Sequence, residues 1–259
     1  MSVDIAERTR RNIVVFGGAS GIGHAVVAAL VADGARVTVF DRAEPSAPLG
    51  EVDYRRVDVR DSDDVRSGID VMLTEQGRVD GMVYAVGVLD GYTTLEETTE
   101  ELLDVVLDVN VKGAVRVAQA LVPSMKAAGG GRMVFFSSIA GSVAGAGGLA
   151  YTTSKHAMNG IIKSLALELG PSGITVNAVA PGSVPGTNIK AGVAGQVNGP
   201  VQTERGMATV FGQTAEQLHP VGRLGTVDAI APTVMHLLEP SSWFITGTTV
   251  TVDGGYTAR

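Results

Sequence analysis

The sequence predicts an α/β protein, a doubly wound parallel sheet of about seven strands with helices on both faces. Three observations carry that prediction. Short apolar, β-branched runs alternate with longer stretches of helical period through most of the 259 residues. The strand runs are apolar on both faces, as strands enclosed between two helical layers are. The segments between them are long enough to make right-handed crossovers, which parallel neighbours require.

Taken in order, residues 13–16 form the first strand-like run, and residues 21–33 a helix presenting Ile22, Val26, Val27 and Leu30 on one face. Residues 37–40 and 54–57 are the next two strands. The helix over 61–76 opens with Asp61 and Ser62, side chains that accept hydrogen bonds from free N–H groups at a helix start, and it carries Val65, Ile69, Met72 and Leu73. Residues 82–88 make a fourth strand. Two helical stretches follow, over 98–109 and 111–127, with Asn110 between them as a cap or kink residue. Residues 133–136 make a fifth strand, 151–170 a long helix with Ile161, Ile162, Leu165 and Leu169, and 174–179 a sixth strand. A helix over 226–238 and a strand over 248–252 close the pattern. Residues 182–225 are Gly-, Pro- and Gln-rich without strong periodicity. Loops that long are usually functional, so the segment reads as a lid, about 183–225, on a single domain spanning 1–259.

Composition removes several function classes. The formal net charge is −7 and no Lys/Arg-rich run exists, the opposite of what phosphate tracking along nucleic acid needs. With no cysteine, disulfides, thiol catalysis and thiolate metal sites are excluded. The four histidines (His24, His156, His219, His236) lack paired ligand spacing, so no metal is expected and each reads as a core or solvated residue. The run from Asp61 to Asp64 lacks the glycine and terminal glutamate of a calcium loop. No Gly-x-Ser-x-Gly elbow supports a serine hydrolase. No apolar stretch reaches a membrane span of about 18 residues, and residues 1–11 are polar and charged, unlike a signal peptide. The expectation is a soluble, cytoplasmic protein.

The run Phe16-Gly17-Gly18-Ala19-Ser20-Gly21-Ile22-Gly23 lies between the first strand and the first helix. Glycines there permit a tight turn and a close backbone approach to a pyrophosphate, with the helix N-terminus facing the anion. By itself a Gly-rich turn is equally an ordinary strand-to-helix connection. An acidic residue is expected about 20 positions on, and Asp41 ends the second strand. Its carboxylate accepts from both adenosine ribose hydroxyls and repels a 2′-phosphate, which favours NAD, while capping of the next turn is its plainer role. Arg42 is the counterweight, since a guanidinium there suits NADP.

Tyr151 and Lys155 are spaced i, i+4 and share a helix face. An ammonium beside a phenol stabilises the phenolate, so the pair is able to move a proton to or from a carbinol oxygen. A solvated helix pair is the bland alternative. Ser138 follows the fifth strand, at the strand end where doubly wound folds bind ligands, although Ser137 and Ser138 also suit a turn.

With these residues in place, the chain resembles the classical short-chain dehydrogenase/reductase family over essentially its whole length. The matching motifs are the glycine turn, Asp58-Val59, residues 109–113 around Asn110, residues 137–141, Tyr151 to Lys155, Asn177 to Gly182, and Asp253-Gly254-Gly255. The resemblance implies an NAD-dependent alcohol dehydrogenase or ketoreductase on a Rossmann-type fold. Tyr151 would be the acid/base and Ser138 would bond the substrate oxygen. Lys155 would lower the tyrosine pKa and hold the nicotinamide ribose, and Asn110 would fix a water in the proton relay. Gly17, Ser20, Gly21, Ile22 and Gly23 would lie along the pyrophosphate, Asp41 and Arg42 at the ribose, and Asp58 with Val59 at the adenine. Ala85 and Gly87 would back the cofactor, and Pro181, Gly182, Val184 and Thr187 would meet the nicotinamide end. A homotetramer and hydride delivery from the pro-S face are further implications.

Three positions depart from the family pattern. Phe16 replaces a threonine that opens the glycine motif. Tyr84-Ala85-Val86-Gly87 stands for Asn-Asn-Ala-Gly, and Thr187 falls one place late, after Pro185-Gly186. Val193, Val197, Val201, Met207, Val210, Phe211 and Leu218 make the lid apolar. The expected substrate is therefore a neutral, hydrophobic secondary alcohol or ketone (cyclic, terpenoid or aryl-alkyl), bound in a pocket without fixed charge. The alternatives are an NADP-dependent 3-oxoacyl or polyketide ketoreductase, and a non-catalytic nucleotide-sensing protein on the same scaffold.

Overall fold

The computed structural model describes residues 10–45, 47–190, 192–198, 202 and 204–258. The start of the amino-terminal segment and lid residue Val201 therefore lie outside the described residues. Seven strands form one parallel sheet: β1 (Asn12–Phe16), β2 (Arg36–Asp41), β3 (Asp53–Arg56), β4 (Gly81–Tyr84), β5 (Gly131–Phe136), β6 (Ile174–Pro181) and β7 (Thr249–Val252). Their order is β3-β2-β1-β4-β5-β6-β7. The chain winds outward in one direction from β1 and then in the other from β4. The crevice at the carboxyl ends of those two strands is where such folds bind ligands.

Both faces of the sheet are covered, and the alternation along β1 shows how. Val14 and Phe16 enter one core with the helices α2 (Ser62–Gln76), α3 (Glu100–Leu107), α4 (Gly113–Ala127) and α5 (Leu149–Leu169). Ile13 and Val15 enter the other, under α1 (Gly21–Ala32) and α8 (Val227–Leu238). A strand buried on both sides has no polar face to show, which is why these runs were apolar throughout. Asp61 caps α2 as its position implied, accepting from the N–H groups of Asp63 at 2.8 Å and Asp64 at 3.2 Å.

Two expectations are corrected. The fourth strand stops at Tyr84 instead of running to Val88: the Ala85 N–H still donates to the Phe16 carbonyl, after which the chain leaves the sheet. The helices on either side of Asn110 are one continuous path joined by a π-helical turn, Asp108–Lys112, so Asn110 is not a cap. Residues 182–225 contain two short helices, α6 (Met207–Phe211) and α7 (Ala215–Leu218). Val193, Met207 and Leu218 are buried there, while Val210 and Phe211 are exposed. No described helix is long and apolar enough to cross a membrane.

Candidate active site

The glycine turn folds as its residues demand. Gly17 and Gly21 take left-handed backbone angles (φ +85° and +57°), and any side chain on Gly23 would strike the Gly17 carbonyl oxygen. Ser20, at the N-cap of α1, makes no side-chain cap bond, and the first turn of α1 carries no acidic residue. The leading N–H groups of α1 are thus left for an anion. Asp41 accepts from the Ala19 N–H on one oxygen and the Ala43 N–H on the other, both at 3.0 Å. One lone pair on each oxygen is left over for a diol. Asp58 is clasped by Arg60 at 2.8 Å, and this hydrogen bond holds its carboxyl below the usual range.

A cavity of about 680 Å³ runs from this turn, past the ends of β4 and β5, to the lid. Gly17, Ser20, Gly21, Ile22, Gly23, Asp41, Arg42, Asp58 and Val59 line one end. Ala85, Gly87, Ser138, Tyr151, Lys155, Pro181, Gly182, Val184 and Thr187 line it as well. Thr187 lies over the glycine turn, within 3.4 Å of where a Gly21 Cβ would be, despite its displaced sequence position. Of the catalytic and cofactor residues read from sequence, Asn110 alone does not line the cavity; of the described apolar lid residues expected around the substrate, only Met207 does. Its side chain is fully buried and occupied: Oδ1 accepts from the Val88 N–H at 2.8 Å, and Nδ2 donates to the Val88 carbonyl and to Ser154 Oγ, each at 3.0 Å. It braces the crevice wall with both amide protons committed, while Oδ1 keeps a second lone pair.

Tyr151 and Lys155 sit one turn apart in α5, both buried, with the Lys155 ammonium 5.5 Å from the phenol ring centre. Lys155 Nζ donates to the Phe136 carbonyl at 2.8 Å, and desolvation lowers its pKa to about 8. Burial pushes the Tyr151 phenol above its ordinary value; the Ser138 hydroxyl, hydrogen-bonded to it, pulls the other way, and Tyr92 and Asp90 reinforce burial. Desolvation is the largest of these influences on the phenol. Ser138 Oγ also accepts from the Ala140 N–H at 3.1 Å, which fixes its rotamer.

Sequence reading missed several residues. Asp90 is fully buried and its carboxylate accepts from the N–H groups of Gly148 and Tyr151 at 2.9 Å and of Tyr92 at 3.2 Å. It thereby closes the open start of α5. Only the oddity of an aspartate ending the apolar run Val86-Gly87-Val88-Leu89 hinted at this. Tyr92, Lys190 and Gln196 also line the cavity. Lys190 corrects the expectation of a pocket without fixed charge: the lid brings its ammonium near Gly206.

The Phe16 and Tyr84 departures prove to be linked. Phe16 stacks on Phe40 with ring centres 4.8 Å apart and on Tyr84 at 6.5 Å, and Tyr84 abuts Phe135 at 6.2 Å. The buried Tyr84 hydroxyl donates to the Val109 carbonyl at 2.6 Å, inside the π turn.

A family model described as Enoyl-(Acyl carrier protein) reductase matches residues 17–257. The chain belongs to the classical short-chain dehydrogenase/reductase family. Short-chain reductase protein NovJ of Streptomyces niveus is 34% identical, over 98% of this chain and 97% of its own. The 3-oxoacyl-[acyl-carrier-protein] reductase MabA of Mycobacterium tuberculosis is likewise 34% identical, over 95% and 92%. Among solved structures, levodione reductase superposes with a TM-score of 0.83 at 27% identity, covering 96% of this chain and 98% of that one. The chain is an oxidoreductase of this family, whose fold binds a nicotinamide cofactor.

Proposed function

We propose that this reductase moves a hydride between NAD(H) and a neutral, predominantly hydrophobic secondary alcohol or ketone, with Tyr151 as proton donor and acceptor. The observation that carries the reading is the meeting of Ser138, Tyr151 and Lys155 in the same cavity as the uncapped start of α1. The nicotinamide, when bound, supplies the hydride acceptor or donor. Everything else falls to the chain's own groups. Ser138 holds the substrate oxygen against the Tyr151 hydroxyl. That phenol, kept protonated by burial, gives its proton to the oxygen as a ketone becomes an alkoxide. The Lys155 ammonium, held beside the ring, stabilises the phenolate left behind and returns to rest when the phenol is reprotonated. Asn110 acts as a brace on this wall of the crevice. Residues 183–225 serve as the lid of one domain that includes the whole sheet.

The carboxylate of Asp41, fixed by two N–H donors with acceptor capacity to spare, supports NAD over NADP. A second reading, an NADP-dependent 3-oxoacyl or polyketide reductase, is favoured by Arg42 and Arg56, which line a smaller cavity of about 230 Å³ beside Asp58. The name of the relative MabA agrees with it. The deciding experiment follows nicotinamide absorbance over a panel of secondary alcohols, ketones and 3-oxoacyl thioesters with both cofactors. We expect at least tenfold higher kcat/KM with NAD(H) and turnover of neutral ketones. The Tyr151→Phe variant should lose at least a thousandfold in kcat with cofactor Kd unchanged. Turnover confined to thioesters with NADPH would move the assignment to the second reading.

We also propose a homotetramer built through the long helices and the C-terminal strand. Leu167 on α5, Trp243 and Phe244 are strongly exposed for apolar residues, and Gly247 packs on Ala166, the chain neighbour of Leu167. Light scattering should return about four times the chain mass of 26.6 kDa; a monomer would refute it.

A further inference from the structure

We propose that Tyr92 is a specificity-determining residue: its hydroxyl hydrogen-bonds a second oxygen of the substrate, apart from the one that reacts. This rests on the oxidoreductase reading above and adds to it a requirement on the substrate. Tyr92 is the sole described residue other than glycine with a left-handed backbone (φ 58°). Asparagine or glycine occupies that conformation at ease, whereas a bulky aromatic residue is strained in it, and such strain concentrates where a side chain must be aimed.

Three contacts enforce the conformation. Gly91, just before it, is also left-handed (φ +75°), and a side chain there would run into the Gln202 carbonyl of the lid segment. The Tyr92 N–H is held by the buried Asp90 carboxylate, and that same carboxylate holds the Tyr151 N–H. Positions 92 and 151 are therefore bolted to one buried anion, and their rings keep a set relation. The Tyr92 ring packs against the cluster of Leu89, Ile139, Tyr151 and Met207. Tyr92 lines the cavity, and its hydroxyl hydrogen-bonds no described residue, although it lies close enough to Tyr151 and Tyr256 to be felt electrostatically. Burial raises its pKa to about 12, so at neutral pH it is an O–H donor. A hydroxyl left open among the apolar residues of this cluster is how a pocket discriminates between ligands of equal shape.

The test uses isosteric pairs, methylcyclohexanones against hydroxycyclohexanones with the substituent at position 2, 3 or 4, reduced by wild type, Tyr92→Phe and Tyr92→Asn. At one substituent position, wild type should favour the hydroxy ketone about tenfold in kcat/KM. Tyr92→Phe should erase that preference, bringing the ratio of the two kcat/KM values to about one whatever common change both rates undergo. Tyr92→Asn should erase it too; a merely structural tyrosine would instead lose rate equally on both members of a pair. Absence of any preference in wild type, its persistence in Tyr92→Phe, or an equal loss on both members of a pair would overturn the proposal. If wild type reduces none of these ketones with either cofactor, the ketone reading falls. Ligand-observed NMR on the enzyme with bound NAD or NADP then decides Tyr92, by whether the hydroxy isomer binds about tenfold tighter than the methyl isomer and loses that margin in Tyr92→Phe.

Discussion

On the glycine-turn side of the cavity the supports are rings: Phe16, Phe40, Tyr84 and Phe135 stacked or tilted against one another at the ends of four adjacent strands. On the catalytic-helix side the supports are buried hydrogen bonds. Asp90 takes three N–H groups, Asn110 joins Val88 to Ser154, and Asn159 joins Ser137 at 2.8 Å to the Gly141 carbonyl at 2.9 Å. The contrast follows from what each side has to do. A backbone surface that lets a phosphate approach needs only to be in place, and packing is enough for that. A hydroxyl that hands over a proton must be held within a few tenths of an ångström, and only directional bonds fix a side chain so closely. The substitution of Phe16 and Tyr84 for polar residues falls on the side that tolerates it.

The largest test of this contrast removes the anion on the polar side. Asp90→Ala leaves one buried and two part-buried N–H groups without their acceptor, a cost of about 3 kcal/mol, read as a Tm lowered by roughly 6–12 °C. A loss under about 1 kcal/mol would show that the start of α5 does not depend on it.

Lys155→Met probes the same wall with the opposite sign. The folded chain holds this ammonium with a pKa of about 8, against 10.5 for a free lysine, a penalty of about 3 kcal/mol. Below pH 8 the group is charged in both states and the folded state carries the whole penalty. Between pH 8 and 10.5 only the unfolded chain holds the proton, so wild-type stability should rise with pH through that window. The variant should be the more stable protein at neutral pH, lose most of its turnover, and show no such rise in denaturant titrations. A variant less stable at pH 7 would contradict the desolvation argument.

The smallest effect couples the two sides. A Cβ on Gly113 would lie 2.5 Å from the Tyr84 hydroxyl. Gly113→Ala should cost about 2 kcal/mol and Tyr84→Phe about 1 kcal/mol, with the double variant more stable than their sum predicts, since the hydroxyl that clashes is gone. Strict additivity in urea unfolding would mean that the overlap is relieved elsewhere.

The same division explains what could be read from sequence. Runs such as Val14-Val15-Phe16 and Met133-Val134-Phe135 announce buried strands because burial on both faces leaves its mark on every residue. The glycine turn, Asp41, Ser138, Tyr151 and Lys155 were legible because their spacing is local, and the structure gathers all of them around one cavity. The π turn at Asn110 was not, since one such turn leaves the apolar period almost unchanged. Nor was Asp90, whose partners Gly148 and Tyr151 lie about sixty positions away. A buried carboxylate closing the start of a distant helix looks in sequence like any turn aspartate.

Gly145 sits where the loop before α5 meets the lid, and Phe211 at the end of α6 occupies the space a side chain there would need. The ring rests on bare backbone. A single methyl at this position would wedge the covering segment away from the loop beneath it. Under the lid proposal above, Gly145→Ala should change how fast reactant and product exchange with solvent without touching the proton-transfer groups.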